Sequence, residues 1–297
     1  MPNKKDRPVK PCALCHEIRE MEESHIVPKF VVRYLKKTAV GEIRSIENIN
    51  APVQDSEKHY LLCGECEDLF STYETKFANT FFHPYMSGDK KEFHYDKDTY
   101  YFLTSVSWRS LYMDILDFVQ HPEEVGIDLD TLNCLIDKEK EMRNYLLHKQ
   151  PIVPEIEHHV FFLKDVQKIS QQYIETRPNT TMHGTIGSYT IFSIPYKTYG
   201  TLTLMLGILV FTIYNKGKEE FWENTEIKNE EGIIKVENQH MCSICSSEIL
   251  EILKRVKKTD EELSDKQKEA MNKRFEERQE KFLKSRIYED LKKDFDL

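Results

Sequence analysis

Three Cys-x-x-Cys pairs constrain this chain more than any other feature: Cys12/Cys15, Cys63/Cys66 and Cys242/Cys245, with Cys134 as the seventh cysteine. A Cys-x2-Cys turn presents two thiolates to one ion, and two such turns complete the tetrahedral set that zinc prefers. The first two pairs stand 47 residues apart, which leaves room for a β-hairpin and a connecting segment between two knuckles. One structural Zn2+ held by Cys12, Cys15, Cys63 and Cys66 is therefore expected. Such a closed site has no open coordination position, so it stabilises and does no chemistry. Cysteine pairs of this kind belong to a reducing compartment. The opening MPNKKDRPVK has no apolar stretch behind it, so no secretory signal is expected. The longest apolar run, from Thr201 to Tyr214, falls short of the roughly 18–20 residues of a spanning helix. A cytoplasmic protein with no membrane partner is the expectation.

The chain divides by pattern. Residues 1–85 carry the cysteine module. Between Tyr100 and Val119, Phe102, Val106, Leu111, Ile115 and Val119 fall near one helical face, and Asp130–His148 continues as a more polar helix, giving a helical connector over 86–150. Segments from His159 to Val166, Gly187 to Ile194, Thr201 to Tyr214 and Gly232 to Val236 are rich in β-branched and aromatic residues, which predicts a β-rich domain over 151–240. From 241 to 297 the chain turns helical and highly charged, and Ser264-x-x-Gln267 has the form of a capping box opening a last helix. These C-terminal helices offer either a solvated face or a surface for a protein partner; the oligomeric state is left open. With 39% hydrophobic residues the chain is globular, and the fold class expected is α+β.

Chemistry has to come from between the knuckles, where Glu23-Ser-His25-Ile-Val-Pro28 places an imidazole on a short strand expected to end at the proline. The ordered set Cys12-x2-Cys15, His25-Ile-Val-Pro28 and Leu61-Leu62-Cys63-x2-Cys66 resembles the zinc-bearing, treble-clef type of HNH nuclease over about residues 10–82. The resemblance implies a ββα-metal site for hydrolysis of DNA phosphodiesters. In it His25 acts as general base on the attacking water while a divalent ion, Mg2+ or Mn2+, stabilises the leaving oxygen. An imidazole suits the first task because it titrates near neutrality. Roles in restriction or phage defence are frequent among small proteins of this kind.

The chain departs from the family pattern at three places. Ser24 stands where the family has an ion-binding Asp, Glu or His before the base. Lys58 and His59 stand where the motif's Asn is expected, and Asn48 and Asn50 lie too far upstream to be clean replacements. Glu67 replaces the Asn or His after the fourth cysteine. A carboxylate there can bind Mg2+ or Mn2+, so Glu67 and Glu74, two helical turns apart, are the candidate ion ligands. The alternative is a non-catalytic zinc module that binds nucleic acid or protein, with His25 structural.

The net charge of −9 excludes a protein that coats nucleic acid with its whole surface, so a nucleic-acid contact must be local. Residues 1–40 supply one, with nine Lys and Arg against five acids. At the third pair, His240, Cys242 and Cys245 either hold a second metal with a distant ligand such as Cys134 or are ordinary thiols. The pair His158/His159 alternates across a strand and cannot face one ion. Trp108 and its neighbours Ser105, Ser107 and Arg109 fit either a contact surface or core.

Overall fold

A computed structural model of the chain describes residues 7–39, 55–88, 90–163 and 176–295. The order is β1 (Val9–Pro11), β2 (Ile18–His25), α1 (Lys29–Thr38), β3 (Lys58–Cys63), α2 (Gly64–Phe77), a π-helical turn (Ala78–Phe82), α3 (His83–Ser87), β4 (Glu92–Tyr95) and α4 (Lys97–Gln120). Then follow α5 (Pro122–Val125), α6 (Leu129–Leu146), β5 (Glu157–Phe162), α7 (Pro178–Gly184), β6 (Ile186–Ser193), β7 (Thr198–Met205), β8 (Ile208–Asn215), β9 (Phe221–Glu223) and β10 (Glu226–Ile227). The chain closes with β11 (Gly232–Lys235), β12 (His240–Cys242), α8 (Ile244–Glu261), α9 (Asp265–Glu277), α10 (Gln279–Leu283) and α11 (Arg286–Asp294). Helices and strands are mixed and the cysteine cluster sits at the N-terminal end, as an α+β class requires.

The N-terminal sheet runs β1-β2-β3, all antiparallel, and α2 leaves directly from β3. The strand carrying His25 ends at that residue, three short of the expected proline. Pro28 instead caps α1, where its fixed φ suits the helix entrance. The larger sheet has the order β10-β5-β8-β7-β6. Along β8 the faces alternate: Leu209, Phe211 and Ile213 join the cluster under α8, while Ile208 and Val210 join the cluster on the other side.

The apolar run Thr201–Tyr214 is not one strand but the β7/β8 hairpin. Leu206 and Gly207, both at positive φ (55° and 91°), make the two-residue turn. Gly207 has a second reason to be glycine, since a Cβ there would lie 2.2 Å from the His183 ring.

Helix α4 is the axis of the molecule. Thr99 through Leu111 are all buried, because α2 packs on one side, α6 on another and the large sheet on a third. The single apolar stripe read from the sequence is thus too narrow, and its last member Val119 is exposed. Small residues let the sheet approach: Ser107 meets Thr212 at 2.6 Å and Thr104 meets His158 at 2.9 Å. Trp108 is core, with its indole N–H donating to Glu139 at 2.8 Å. Both His158 and His159 are buried in hydrogen-bonded settings and neither approaches an ion site. The capping box at Ser264/Gln267 is present, but the segment it opens breaks into α9, α10 and α11.

Asp114 on α4 accepts a hydrogen bond from the backbone N–H of Thr190 at 2.6 Å, covering the edge strand β6. Burial pushes its carboxyl up to about 6. The folded state therefore binds a proton more tightly than the unfolded state, and stability falls as pH rises from about 4 through 6. Asp114→Asn keeps an acceptor and removes the charge. It is expected to flatten that limb and raise stability at pH 7 by about 2 kcal/mol, read from urea unfolding at pH 4.5 and 7. An unchanged pH dependence would count against it.

Candidate metal centre and adjoining cavity

The backbone folds first around the cysteines. Cys12 N–H donates to the Glu17 carbonyl and His16 N–H to the Cys12 carbonyl, both at 2.9 Å, closing a tight turn that puts Cys12 and Cys15 on one side. Cys63 ends β3 and Cys66 lies in the first turn of α2, so the second pair straddles a strand-to-helix junction. All four sulfurs lie within 4.8 Å of one another, and Cys15 and Cys63 are 3.9 Å apart. A tetrahedron with Zn–S of about 2.3 Å has sulfur–sulfur edges of about 3.8 Å, so the four cysteines fit a zinc ion. The Cys63 backbone N–H also points at the Cys12 sulfur, at 3.4 Å. A hydrogen bond from Cys66 holds the Cys12 thiol well below its usual range, and the same contact with burial drives Cys66 up. The cluster thus already favours one thiolate.

Among the described residues these four cysteines are the one set of three or more potential ligands that converges so closely. Cys242 is exposed on β12, whereas Cys245 is fully buried in the cluster between α8 and the large sheet, where burial drives its thiol upward. They form no such set with His240 or Cys134.

Beside the cysteines, β2, α1, α2 and α4 enclose an open cavity of about 550 Å3. His25, Glu67 and Glu74 all line it. A register shift between Glu22 and Glu23 breaks the alternation of β2. Met21 and Ser24, which an unbroken strand sends to opposite faces, are both fully buried, and His25 beside Ser24 is left at the cavity. Ser24 is not among the residues that line the cavity, and its hydroxyl accepts from the Leu62 N–H at 3.2 Å.

Glu67 and Glu74 share the cavity face of α2. Burial raises the Glu67 carboxyl, opposed by a hydrogen bond with Ser24 and the charge of Arg109, and its Oε1 is buried without a hydrogen-bond partner. Glu74 pairs with Arg109 at 2.7 Å.

Two residues that sequence reasoning did not place in the site complete it. Arg109 reaches in from α4 with its side chain 2% exposed, and its Nη1 donates to the His25 carbonyl at 3.0 Å. Asp55 sits behind the histidine, with Oδ2 3.3 Å from His25 Nε2, close enough for charge attraction though without hydrogen-bond alignment. Burial raises the Asp55 carboxyl, but His25 and Lys36 outweigh it and hold the group below its usual range. Nothing in the spacing around Asp55 or Arg109 marks either residue; only proximity to a histidine already singled out could have drawn attention to them.

The cavity wall carries five carboxylates, the three acids Glu22, Glu23 and Asp68 joining Glu67 and Glu74, against the three cations Lys29, Arg33 and Arg109. An acidic wall of this balance attracts a cation more readily than a bare phosphate. Lys29 and Arg33 are exposed on α1, with no ion-pair partner among the described residues. Elsewhere in the module three basic residues are spent on local pairs, Arg7 with Glu22, Arg19 with Glu65 and Lys58 with Glu23. Lys58 and His59 do not line the cavity, and Lys4, Lys5, Asn48 and Asn50 lie outside the described residues. Among the described residues, no helix is long and apolar enough to cross a membrane.

No protein-family model, curated protein or solved structure matches this chain.

Proposed function

We propose that the chain is a metal-dependent endonuclease of HNH type that hydrolyses DNA phosphodiesters, with Cys12, Cys15, Cys63 and Cys66 holding a structural zinc. The observation that carries this reading is the assembly of His25, Glu67 and Glu74, drawn from two elements far apart in the sequence, on one cavity beside the cysteine cluster. When bound, Mg2+ or Mn2+ stabilises the charge that develops on the phosphate and its leaving oxygen. Glu67, with a buried oxygen lacking a partner, is the ligand best placed to hold it.

His25 takes a proton from the attacking water as the new P–O bond forms and the P–O bond to the leaving sugar oxygen breaks; that oxygen is protonated from solvent. Asp55 on Nε2 leaves Nδ1 as the base nitrogen, and the contact tightens once substrate fixes the ring. Lys29 and Arg33 meet the flanking phosphates, which makes binding local and salt-sensitive.

Purified protein is expected to nick supercoiled plasmid in Mg2+ or Mn2+ and to stop when EDTA is added. Glu67→Gln is expected to lower the rate at least about 100-fold, by removing charge stabilisation of the reacting phosphate. Failure to cleave single- or double-stranded DNA in any divalent metal would overturn the assignment.

A second reading, the zinc-stapled binding module, is favoured by one specific observation. The ligand atoms of His25, Glu67 and Glu74 do not converge within 4.8 Å as the cysteines do. That reading predicts retention of DNA or of a protein partner with no cleavage, and equal retention by Glu67→Gln.

A further inference from the structure

We infer that Arg109 is a positioning residue that holds Glu74 away from the ion, leaving it to Glu67, the one cavity carboxylate with a buried oxygen that lacks a hydrogen-bond partner. The inference rests on the reading of the cavity as a divalent-cation site. Its basis is the set of contacts that fix the guanidinium. Nη2 meets Glu74 at 2.7 Å, Nη1 donates to the His25 carbonyl at 3.0 Å, and Nε donates to the Ser105 carbonyl at 3.3 Å. The cation also lies over the Phe70 ring, 5.4 Å from its centre. With the Arg109 side chain 2% exposed, a carboxylate released from this pair leaves a buried charge uncompensated, so Glu74 is not free to turn toward another cation.

A site with one carboxylate binds a hard dication weakly, because such an ion draws the rest of its oxygens from water and from substrate phosphates. The arrangement therefore makes the ion and the phosphate group arrive as a pair. A protein with both glutamates free would instead bind the ion more tightly before the phosphate arrives. Arg109 also ties the end of β2 to α4, so the same side chain that rations the carboxylates fixes the backbone beneath the base.

The test is Mn2+ binding to the zinc-loaded full chain, followed by the paramagnetic resonance signal of free Mn2+, with no nucleic acid present. Arg109→Gln is expected to bind Mn2+ at least tenfold more tightly than the unaltered protein, because Glu74 is released and a buried positive charge is gone. The double variant Arg109→Gln/Glu74→Gln should lose that gain, and Arg109→Lys should keep the weak affinity. Zinc content and thermal melting report whether each variant is folded. Should Arg109→Gln fail to fold, the double variant, which removes both charges of the pair at once, decides. Mn2+ affinity within twofold of the unaltered protein supports the inference, and a tenfold loss makes Glu74 a ligand and overturns it. Glu67→Gln separates the two levels of the argument. If it binds Mn2+ as well as the unaltered protein, or if no variant binds Mn2+ at all, the cation-site reading itself has failed and the role of Arg109 falls with it.

Discussion

His25→Ala is expected to reduce plasmid nicking by about 10²- to 10⁴-fold while leaving zinc content and melting temperature close to those of the unaltered protein. The magnitude is that of a positioned general base removed from a hydrolytic step. The selectivity follows from the location of the side chain. It lies at the last position of β2 on the wall of the open cavity, and its Nε2 makes no aligned hydrogen bond, so none is broken there when the ring is removed. The backbone carbonyl that Arg109 holds is still present in alanine. Asp55→Asn should give a smaller loss, on the order of tenfold, because the base is misoriented rather than absent. Rate assays under single-turnover conditions, with metal analysis of each variant, make the comparison. A His25→Ala protein that cleaves at the unaltered rate, fully zinc-loaded, would remove the histidine from the chemistry. One that unfolds would instead make it a structural residue.

Loss of one zinc ligand is expected to be the most damaging change to stability. Cys63→Ser should lower bound zinc to well below one equivalent and depress the melting temperature by at least about 10 °C. Structural zinc is worth about 10–16 kcal/mol in isolated finger peptides. A chain with a wider core retains part of its fold without it, so the loss expected here is smaller than that full value. The damage should spread from the cluster in a definite order. Cys12, Cys63 and Cys66 share a hydrophobic cluster with Leu14, Met21, Leu62 and Phe70, so a disordered knuckle opens that cluster. Cys66 is followed at once by Glu67, so the first turn of α2 carries the proposed ion ligand out of place with it. Calorimetry of freshly reduced protein, alongside metal content, gives the readout. An unaltered protein that holds no zinc, or a Cys63→Ser protein that melts with it, would show that the cysteines contribute packing alone.

The parts of this architecture written in local spacing were legible. The cysteine pairs predict their own convergence because each turn is set within four residues, and the helical spans around 100–119 and 130–148 follow from periodicity. Ser264 and Gln267 announce a helix start for the same reason. What escaped depends on partners far along the chain. Arg109 looks like a polar residue beside an aromatic until it is seen 84 positions from the carbonyl it holds. The β7/β8 turn was hidden because Leu206 takes a left-handed conformation that its side chain does not advertise. The breaks after α9 and α10 fall at Arg278 and Lys284, with neither glycine nor proline to mark them. Of the residues gathered around the cavity, the histidine and both glutamates were visible. The residues that hold them in place, Arg109 and Asp55, were not, since their roles arise from packing rather than from motif.

Arg109 also bears on how the N-terminal segment can be used. Its back wall belongs to α4: Trp108 and Leu111 share one cluster with Leu14, Met21 and Phe70, and the guanidinium of the intervening residue reaches the cavity itself. A cassette cut at residue 85 would keep the four clustered cysteines and His25 yet shed the floor on which they rest. Fusions, chimaeras and minimal fragments built from this protein should therefore keep α4 together with both α6 and the large sheet that pack on it, at least through the end of β8 at Asn215. Swaps with other cysteine modules need to exchange the long helix together with the knuckles.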